Sequence, residues 1–238
     1  MQPDQWLKDQ PLKPSEQLFA VFSSSSAVEP LKAWPLNAQM PKPVWAETIY
    51  AEWDTVMPYV GIVDAGSEFL NWVATTESRD WGWLAVSSAG LEAVVEHFRS
   101  LTQVLMPDGK AVFFRFWDGR HIYPILHGLG DKAGEVLPMF DRYLINGQTL
   151  EVGTRVLPKV RDWPWWEVPK PLLDTLTKEN PSTLIGNLLQ WLEEERPDIY
   201  TAWPENNLKL KVTRFVRRPD APDNLKEALL NHLILEQG

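Results

Sequence analysis

The sequence predicts an α/β protein in which a mixed sheet is flanked by helices and followed by a mainly α-helical C-terminal lobe. Short apolar runs typical of buried strands alternate with amphipathic helical patterns as far as about residue 154. Beyond a stretch rich in Trp and Pro, the patterns are helical only. We therefore predict a loose N-terminal arm, an α/β domain, and a Trp/Pro-rich hinge with a helical lobe, over residues 1–16, 17–154 and 155–238.

Three apolar runs in the first half of the chain predict core strands. They are QLFAVFS at 17–23, YVGIV at 59–63 and WGWLAVS at 81–87, and each is followed by small or polar residues typical of a strand end. Because helical patterns separate these runs, we expect helices packed on a mostly buried sheet.

Two amphipathic helices are predicted between these strands and the next one. Ser67 is a candidate N-cap for a helix that ends near Thr76, and Ser88 is a candidate cap for the following helix. The second helix has apolar residues at spacings of three and four, which indicates one buried face. That face consists of Leu91, Val94, Val95, Phe98 and Leu101.

Residues 111–120, AVFFRFWDGR, form the apolar run around which we expect the sheet to be organised. The run follows a Pro-Asp-Gly turn signal and is too short for a typical helix, so it predicts a buried strand. Arg115 lies inside it, and a buried arginine requires a carboxylate or carbonyl partner. We expect Arg115, Asp118 and Arg120 to form a structural ion-pair cluster. Replacing Arg115 with Ala is then expected to lower the free energy of unfolding by about 3–5 kcal/mol.

The remaining elements are an edge hairpin and a set of helices. Asn146-Gly147 separates two apolar runs within residues 142–152, and this dipeptide is the strongest short hairpin signal. Apolar residues at helical spacing then predict the helices of the C-terminal lobe. Their expected ranges are 172–178, 182–195, 207–218 and 223–235.

Charge and composition exclude several classes of protein. The 238 residues contain 23 Lys and Arg against 32 Asp and Glu, a net charge of −9, which argues against binding to nucleic acid or to anionic membranes. The absence of Cys excludes disulfides, thiolate nucleophiles and Cys-based metal sites. The N-terminus has no secretory signal pattern, and no apolar run approaches the roughly 20 residues of a transmembrane helix. We expect a soluble, cytoplasmic protein.

No cluster of residues predicts a catalytic, cofactor or metal site. His121 and His127 are six residues apart and do not share a helical face as an i, i+4 pair does. Ser67 lacks the flanking glycines of a nucleophile elbow and is better explained as a helix cap. We expect a protein without enzymatic activity, and the alternative is a small hydrolase that uses Asp118 with His121 or His127.

The chain contains 13 Trp residues, too many for one core to bury completely. Three of them, Trp163, Trp165 and Trp166, lie in the predicted hinge, and Trp203 lies in the helical lobe. These four are candidate partner-binding residues, because Trp commonly anchors protein interfaces. Core packing between the lobes and a sugar-stacking platform, as in a carbohydrate-binding module, remain open as alternatives.

The pieces LFAVFSS, YVGIVD, WGWLAVSS with LEAVVEHFRSLTQV, and PDGKAVFFRFWDGR occur in an order and spacing that resemble a known family. Residues 17 to about 152 resemble the type VI secretion effector chaperones, also called Tap or TEC adaptors. The last piece is similar to the family's strand that ends in Arg-Phe-aromatic-Asp-Pro-Arg. It keeps Arg115, Asp118 and Arg120 but has Gly119 where the family usually has Pro, and Gly frees the turn that Pro would fix.

The resemblance implies a function without catalysis or cofactors. Such adaptors bind a cognate toxin effector in the producing bacterium and help to load it onto the VgrG spike. On this view the sheet domain is a shared scaffold, whereas the helical lobe and the Trp-rich hinge select the partner.

Overall fold

The computed structural model describes residues 1–153, 162–218 and 224–236. The chain divides into two compact units, Met1–Lys170 and Pro171–Gly238. The predicted boundary after residue 154 falls in the range 154–161, which lies outside the described residues. The predicted hinge tryptophans at 163, 165 and 166 belong to the first unit.

The first unit is built on a six-stranded sheet with the order β2-β3-β1-β4-β7-β8, and a second sheet pairs β5 with β6. All pairings between these strands are antiparallel, and a parallel bridge joins Leu105 to Glu167. The strands are β1 (Gln17–Ser23), β2 (Lys42–Pro43), β3 (Pro58–Ile62), β4 (Gly82–Ser87), β5 (Gln103–Leu105), β6 (Ala111–Phe113), β7 (Arg142–Ile145) and β8 (Gln148–Glu151).

Helices cover the sheet in the first unit and make up the regular structure of the second. Short 3₁₀ turns lie at Pro30–Ala33, Asp54–Val56 and Gly130–Lys132. The helices are α1 (Pro3–Asp9), α2 (Glu68–Thr75), α3 (Leu91–Ser100), α4 (Gly119–Leu129), α5 (Ala133–Val136), α6 (Lys170–Glu179), α7 (Ser182–Glu195), α8 (Pro197–Tyr200), α9 (Glu205–Val216) and α10 (Leu225–Leu235).

Strand β1 lies at the centre of the large sheet, and its apolar sequence explains the position. It pairs with β3 on one side and β4 on the other, and its residues from Leu18 to Ser23 are buried. Every residue of β4 is buried as well. Because successive side chains point to opposite faces of a strand, a strand buried along its length must be covered on both sides.

One face of the sheet is covered by α1, α2 and the tryptophans near them. Trp6 of α1 is buried in the same core cluster as Phe69 and Leu70 of α2 and Leu84 of β4. The segment 1–16, expected to be a loose arm, therefore contains a helix anchored by a buried tryptophan.

The other face packs against α3 and against Phe140, which lies in the segment between α5 and β7. Trp83 of β4 lies with its ring centroid 5.9 Å from that of Phe98 and 5.7 Å from that of Phe140. The predicted apolar face of α3 is confirmed, because all five of its residues are buried. The N-cap of this helix is Gly90 rather than Ser88.

The predicted hairpin is confirmed at the edge of the large sheet. Strands β7 and β8 pair directly, with Ile145 opposite Gln148. Asn146 and Gly147 between them have φ values of 52° and 75°, the left-handed conformation that a two-residue hairpin turn requires.

The second unit is helical, as predicted, and has a hydrophobic core of its own. Helices α7 to α10 each contribute buried apolar residues at helical spacing. The buried residues of this core are Ile185, Leu188, Leu192, Ile199, Leu208, Val212, Phe215, Leu229 and Leu233.

These two units confirm the predicted α/β class with a helical C-terminal part. Among the described residues, no helix combines the length and the apolar character that crossing a membrane requires.

Candidate partner-binding surface

The signature residues Arg115, Asp118 and Arg120 meet in the structure around one buried carboxylate. Asp118 Oδ1 accepts hydrogen bonds from the backbone N–H and Nε of Arg120, each at 3.0 Å. Asp118 Oδ2 accepts from Arg120 Nη2 at 2.8 Å and from Arg115 Nη2 at 3.0 Å. Asp118 is also the N-cap of α4, so the same side chain stabilises the helix start and holds both guanidinium groups.

The prediction of a buried strand over residues 111–120 is wrong, and so is the burial of Arg115. Strand β6 ends at Phe113, and the chain then turns, with the Asp118 N–H donating to the Arg115 carbonyl at 3.2 Å. The Arg115 side chain is 52% exposed, whereas that of Asp118 is 1% exposed. The carboxylate is therefore the buried member of the cluster, and the guanidinium groups face solvent.

Contacts of Phe116 with the sheet explain this reversal. The Phe116 ring stacks on Phe98 of α3 with centroids 4.6 Å apart, and its carbonyl accepts a hydrogen bond from Trp83 Nε1 at 2.7 Å. These contacts fix Phe116 inward against α3 and β4. Because the chain turns immediately after it, Asp118 is carried inward while Arg115 stays outside.

The surroundings of Asp118 and His121 shift the pKa values of both groups. Burial alone would raise the pKa of Asp118, but hydrogen bonds from Arg120 and the charges of His121 and Arg120 outweigh burial and hold it below its ordinary value. Burial lowers the pKa of His121, and the charges of Arg115 and Arg120 add to this effect against the attraction of Asp118. The fold thus favours ionised Asp118 and neutral His121.

Gly119 is expected from the sequence to free the turn before α4, whereas in the structure it allows a close approach between two backbone segments. It is the first residue of α4 and does not have a positive φ, so no unusual turn requires glycine here. A Cβ atom at this position would lie 2.8 Å from the Gly82 carbonyl oxygen and 3.2 Å from that of Arg79. Glycine therefore permits a close approach of α4 to the start of β4, and Pro or Ala would require the backbone to move.

Of the two histidines of the hydrolase alternative, His121 lies near Asp118, and the ring of His127 stacks on Tyr123. His121 Nε2 lies 3.7 Å from Asp118 Oδ2, while His127 stacks on Tyr123 with ring centroids 5.8 Å apart. Both oxygens of Asp118 already accept hydrogen bonds from guanidinium groups. Within residues 1–153, 162–218 and 224–236, no group of three or more His, Asp or Glu side chains is placed to hold a metal ion.

The four tryptophans predicted to bind a partner are packed against their own units. Trp165 donates a hydrogen bond to Ser100 Oγ at 3.0 Å, and the Trp166 ring lies 5.4 Å from Phe114. Trp163 is half-buried near Tyr50, and Lys211 Nζ lies 4.0 Å from the ring centroid of half-buried Trp203. Their part in partner binding stays a prediction.

A more exposed aromatic group, which the sequence did not single out, lies at β6. The rings of Tyr50, Trp53 and Phe113 lie within 4.9–5.3 Å of one another. Trp53 is 44% exposed, Phe113 39% and Val112 38%, and Ile49 is more exposed still. We call Ile49, Tyr50, Trp53, Val112 and Phe113 the aromatic edge. The density of aromatic residues in the range 44–53 is the sequence signal that indicates this group.

Comparison with known proteins gives one family match. Residues 18–133 match the family described as Domain of unknown function (DUF4123), which is associated with type VI secretion effectors. The matched range begins in β1 and ends where α5 begins, so it contains both the Asp118 cluster and the aromatic edge. No curated protein and no solved structure matches the chain.

Proposed function

Taking the family match over residues 18–133 as the premise, we propose that this protein is a non-enzymatic adaptor of type VI secretion. It binds a cognate toxin effector in the cytoplasm of the producing cell and promotes its loading onto the VgrG spike. The observation that carries the proposal is the family match, because the family is associated with effectors of this system.

The surface of the first unit supports a role in binding protein. The first unit carries an exposed aromatic edge and two solvent-facing arginines, Arg115 and Arg120, which are residue types that often anchor interfaces. The net charge of −9 favours a protein partner over nucleic acid.

The test is to recover partners from the producing cells. Protein with a C-terminal tag is expressed in its own bacterium, captured, washed with salt and analysed by mass spectrometry. We expect a toxin-like protein or a VgrG-like spike among the retained proteins. If neither is retained from cells shown to express the secretion system, the adaptor function is wrong.

Activity measurements separate the adaptor from the hydrolase alternative. The Asp118→Asn variant keeps a side-chain oxygen at the cap of α4, so the fold should persist. Under the adaptor proposal, we expect the Asp118→Asn substitution to abolish no hydrolytic activity of the purified protein. Hydrolysis that disappears in a folded Asp118→Asn variant would favour the enzyme instead.

A further inference from the structure

The outer edge of β6 has backbone groups that no described strand pairs. The N–H of Phe114 donates to the Thr102 carbonyl, and the N–H of Met106 donates to the Lys110 carbonyl. Since hydrogen-bonded pairs alternate in an antiparallel ladder, Val112 faces β5, whereas the N–H and C=O groups of Ala111 and Phe113 point away.

The opposite side of β5 confirms this alternation. Leu105 donates to the Trp166 carbonyl and accepts from the Val168 N–H, each at 2.8 Å. β5 is therefore bonded on both sides, and β6 is the open edge of this sheet among residues 1–153, 162–218 and 224–236. All three residues of β6 are exposed with respect to the described part of the chain.

The side chains at this edge are those of a binding site rather than of a protected edge. Edge strands are commonly blunted by polar or charged residues, as in β8, where Gln148, Thr149 and Glu151 are exposed. β6 instead presents Val112 and Phe113, and Phe113 continues into the rings of Tyr50 and Trp53.

Arg115, two residues beyond β6, supplies the charge preference of the site. A guanidinium group has five N–H donors, and among the described residues Arg115 uses one of them in a hydrogen bond, to Asp118. The side chain is half-exposed, so the remaining donors can bind a carboxylate of an arriving chain.

A second copy of this protein fits the edge less well than an acidic partner does. Antiparallel pairing of two β6 strands would place Ala111 of each opposite Phe113 of the other. Lys110 of each chain would then lie beside Arg115 of the other, and like charges at neighbouring positions oppose pairing.

We propose that the β6 edge binds an extended segment of a partner protein as an added strand. The segment is apolar where it crosses Val112 and Phe113 and has a carboxylate at the end that reaches Arg115. Main-chain hydrogen bonds to Ala111 and Phe113 supply the affinity, and the aromatic edge and Arg115 supply the preference. This deepens the proposed adaptor function, on which the identity of the partner rests.

The probe is a blocked synthetic peptide, Glu-Thr-Val-Thr-Val-Thr-Glu, with a carboxylate at each end so that either strand direction brings one to Arg115. Its binding to the full chain is measured by fluorescence anisotropy. The Ala111→Pro variant removes one outward N–H and keeps the β5–β6 hydrogen bonds. The matched control, Thr149→Pro, removes an outward N–H from the edge strand β8.

We expect Ala111→Pro to weaken peptide binding about fivefold or more, the value of one lost hydrogen bond, and Thr149→Pro to leave it unchanged. Replacing both Glu with Gln should weaken binding to the wild type but not to Arg115→Gln. In the wild-type protein, the peptide should slow amide exchange at Ala111 and Phe113, a measurement that does not depend on how well a variant folds.

Absence of peptide binding, or equal binding by wild type and a folded Ala111→Pro variant, would overturn the β6 proposal. Unchanged exchange at Ala111 and Phe113 in the presence of bound peptide would overturn it too. Neither result bears on partner recovery from cells, which tests the adaptor function separately. If cellular partners are retained equally by wild type and Ala111→Pro, the adaptor function stands and this edge is not their site.

Discussion

Asp118 shows how one buried acid can organise several neighbours at once. It caps α4, binds two arginines and lies near His121, yet its own side chain is almost fully inaccessible to water. A buried carboxylate is tolerable because charged donors satisfy both of its oxygens. Its partners are half-exposed and can be solvated when the pair is broken, so the loss of stability depends on which residue is removed.

The two sides of the pair should therefore differ in mutational cost. Asp118→Ala removes the cap, worth about 1 kcal/mol, and charge-assisted hydrogen bonds worth about 1.5–3 kcal/mol. Arg115→Ala removes one contact of a half-exposed side chain and should cost at most about 1 kcal/mol, in place of the larger loss expected from the sequence. Denaturant unfolding of both variants measures the difference, and an equal loss would contradict this account of the cluster.

His121 should make the protein less stable in mild acid. Its pKa in the folded state lies below the ordinary 6.5, so the unfolded chain binds a proton that folded His121 resists. Stability should fall as the pH drops below about 6.5, and the contribution of Asp118, whose pKa is also lowered, should disappear at still lower pH. The His121→Gln variant should show a weaker decline between pH 6.5 and the folded pKa of His121. If the stability of His121→Gln depends on pH in the same way as that of the wild type, folding does not lower the pKa of His121.

At the scale of elements, strands and helices with a strict local pattern were predictable from the sequence. The range of β1 and the turn at Asn146-Gly147 needed only apolar spacing and turn chemistry. The strand prediction for residues 111–120 was wrong because their conformation depends on contacts of Phe116. These contacts are with Phe98 and Trp83, which are distant in sequence. Much of the candidate site was therefore missed, although its charged residues were correctly grouped.

Helix α1 was missed for a related reason, since a single tryptophan in a polar segment gives no period. Trp6 is nevertheless buried in the main core, so Trp6→Ala should lower the free energy of unfolding by about 3–5 kcal/mol. Exposed Leu36→Ala is the control and should have little effect. Thermal or denaturant unfolding measures the stability of both variants. If the two variants are equally stable, Trp6 does not anchor the segment 1–16, and the prediction of a loose arm stands.

At the scale of the whole molecule, two units with separate cores allow binding and selection to be assigned separately. We expect the helical lobe with the Trp-rich hinge to select the effector, whereas β6 supplies the proposed extended contact with its own preference for an apolar segment that carries a carboxylate. Deleting residues 171–238 should then reduce recovery of the effector from cells, while the anisotropy of the synthetic peptide still reports binding. Circular dichroism checks that the shortened chain is folded. Full effector recovery by a folded, shortened protein would show that the lobe does not select the partner.

The order of strands in the large sheet also affects the protein while it is being made. β1 is synthesised early, but its neighbour β4 and the outer strands β7 and β8 follow it by many residues along the chain. At about 5–20 residues per second, the ribosome needs several seconds or more between β1 and the end of β8. During that time the apolar side chains of β1 have only part of their final cover. Until its neighbours are made, β1 can pair with a wrong strand, and exposure of this kind is what chaperones limit in cells.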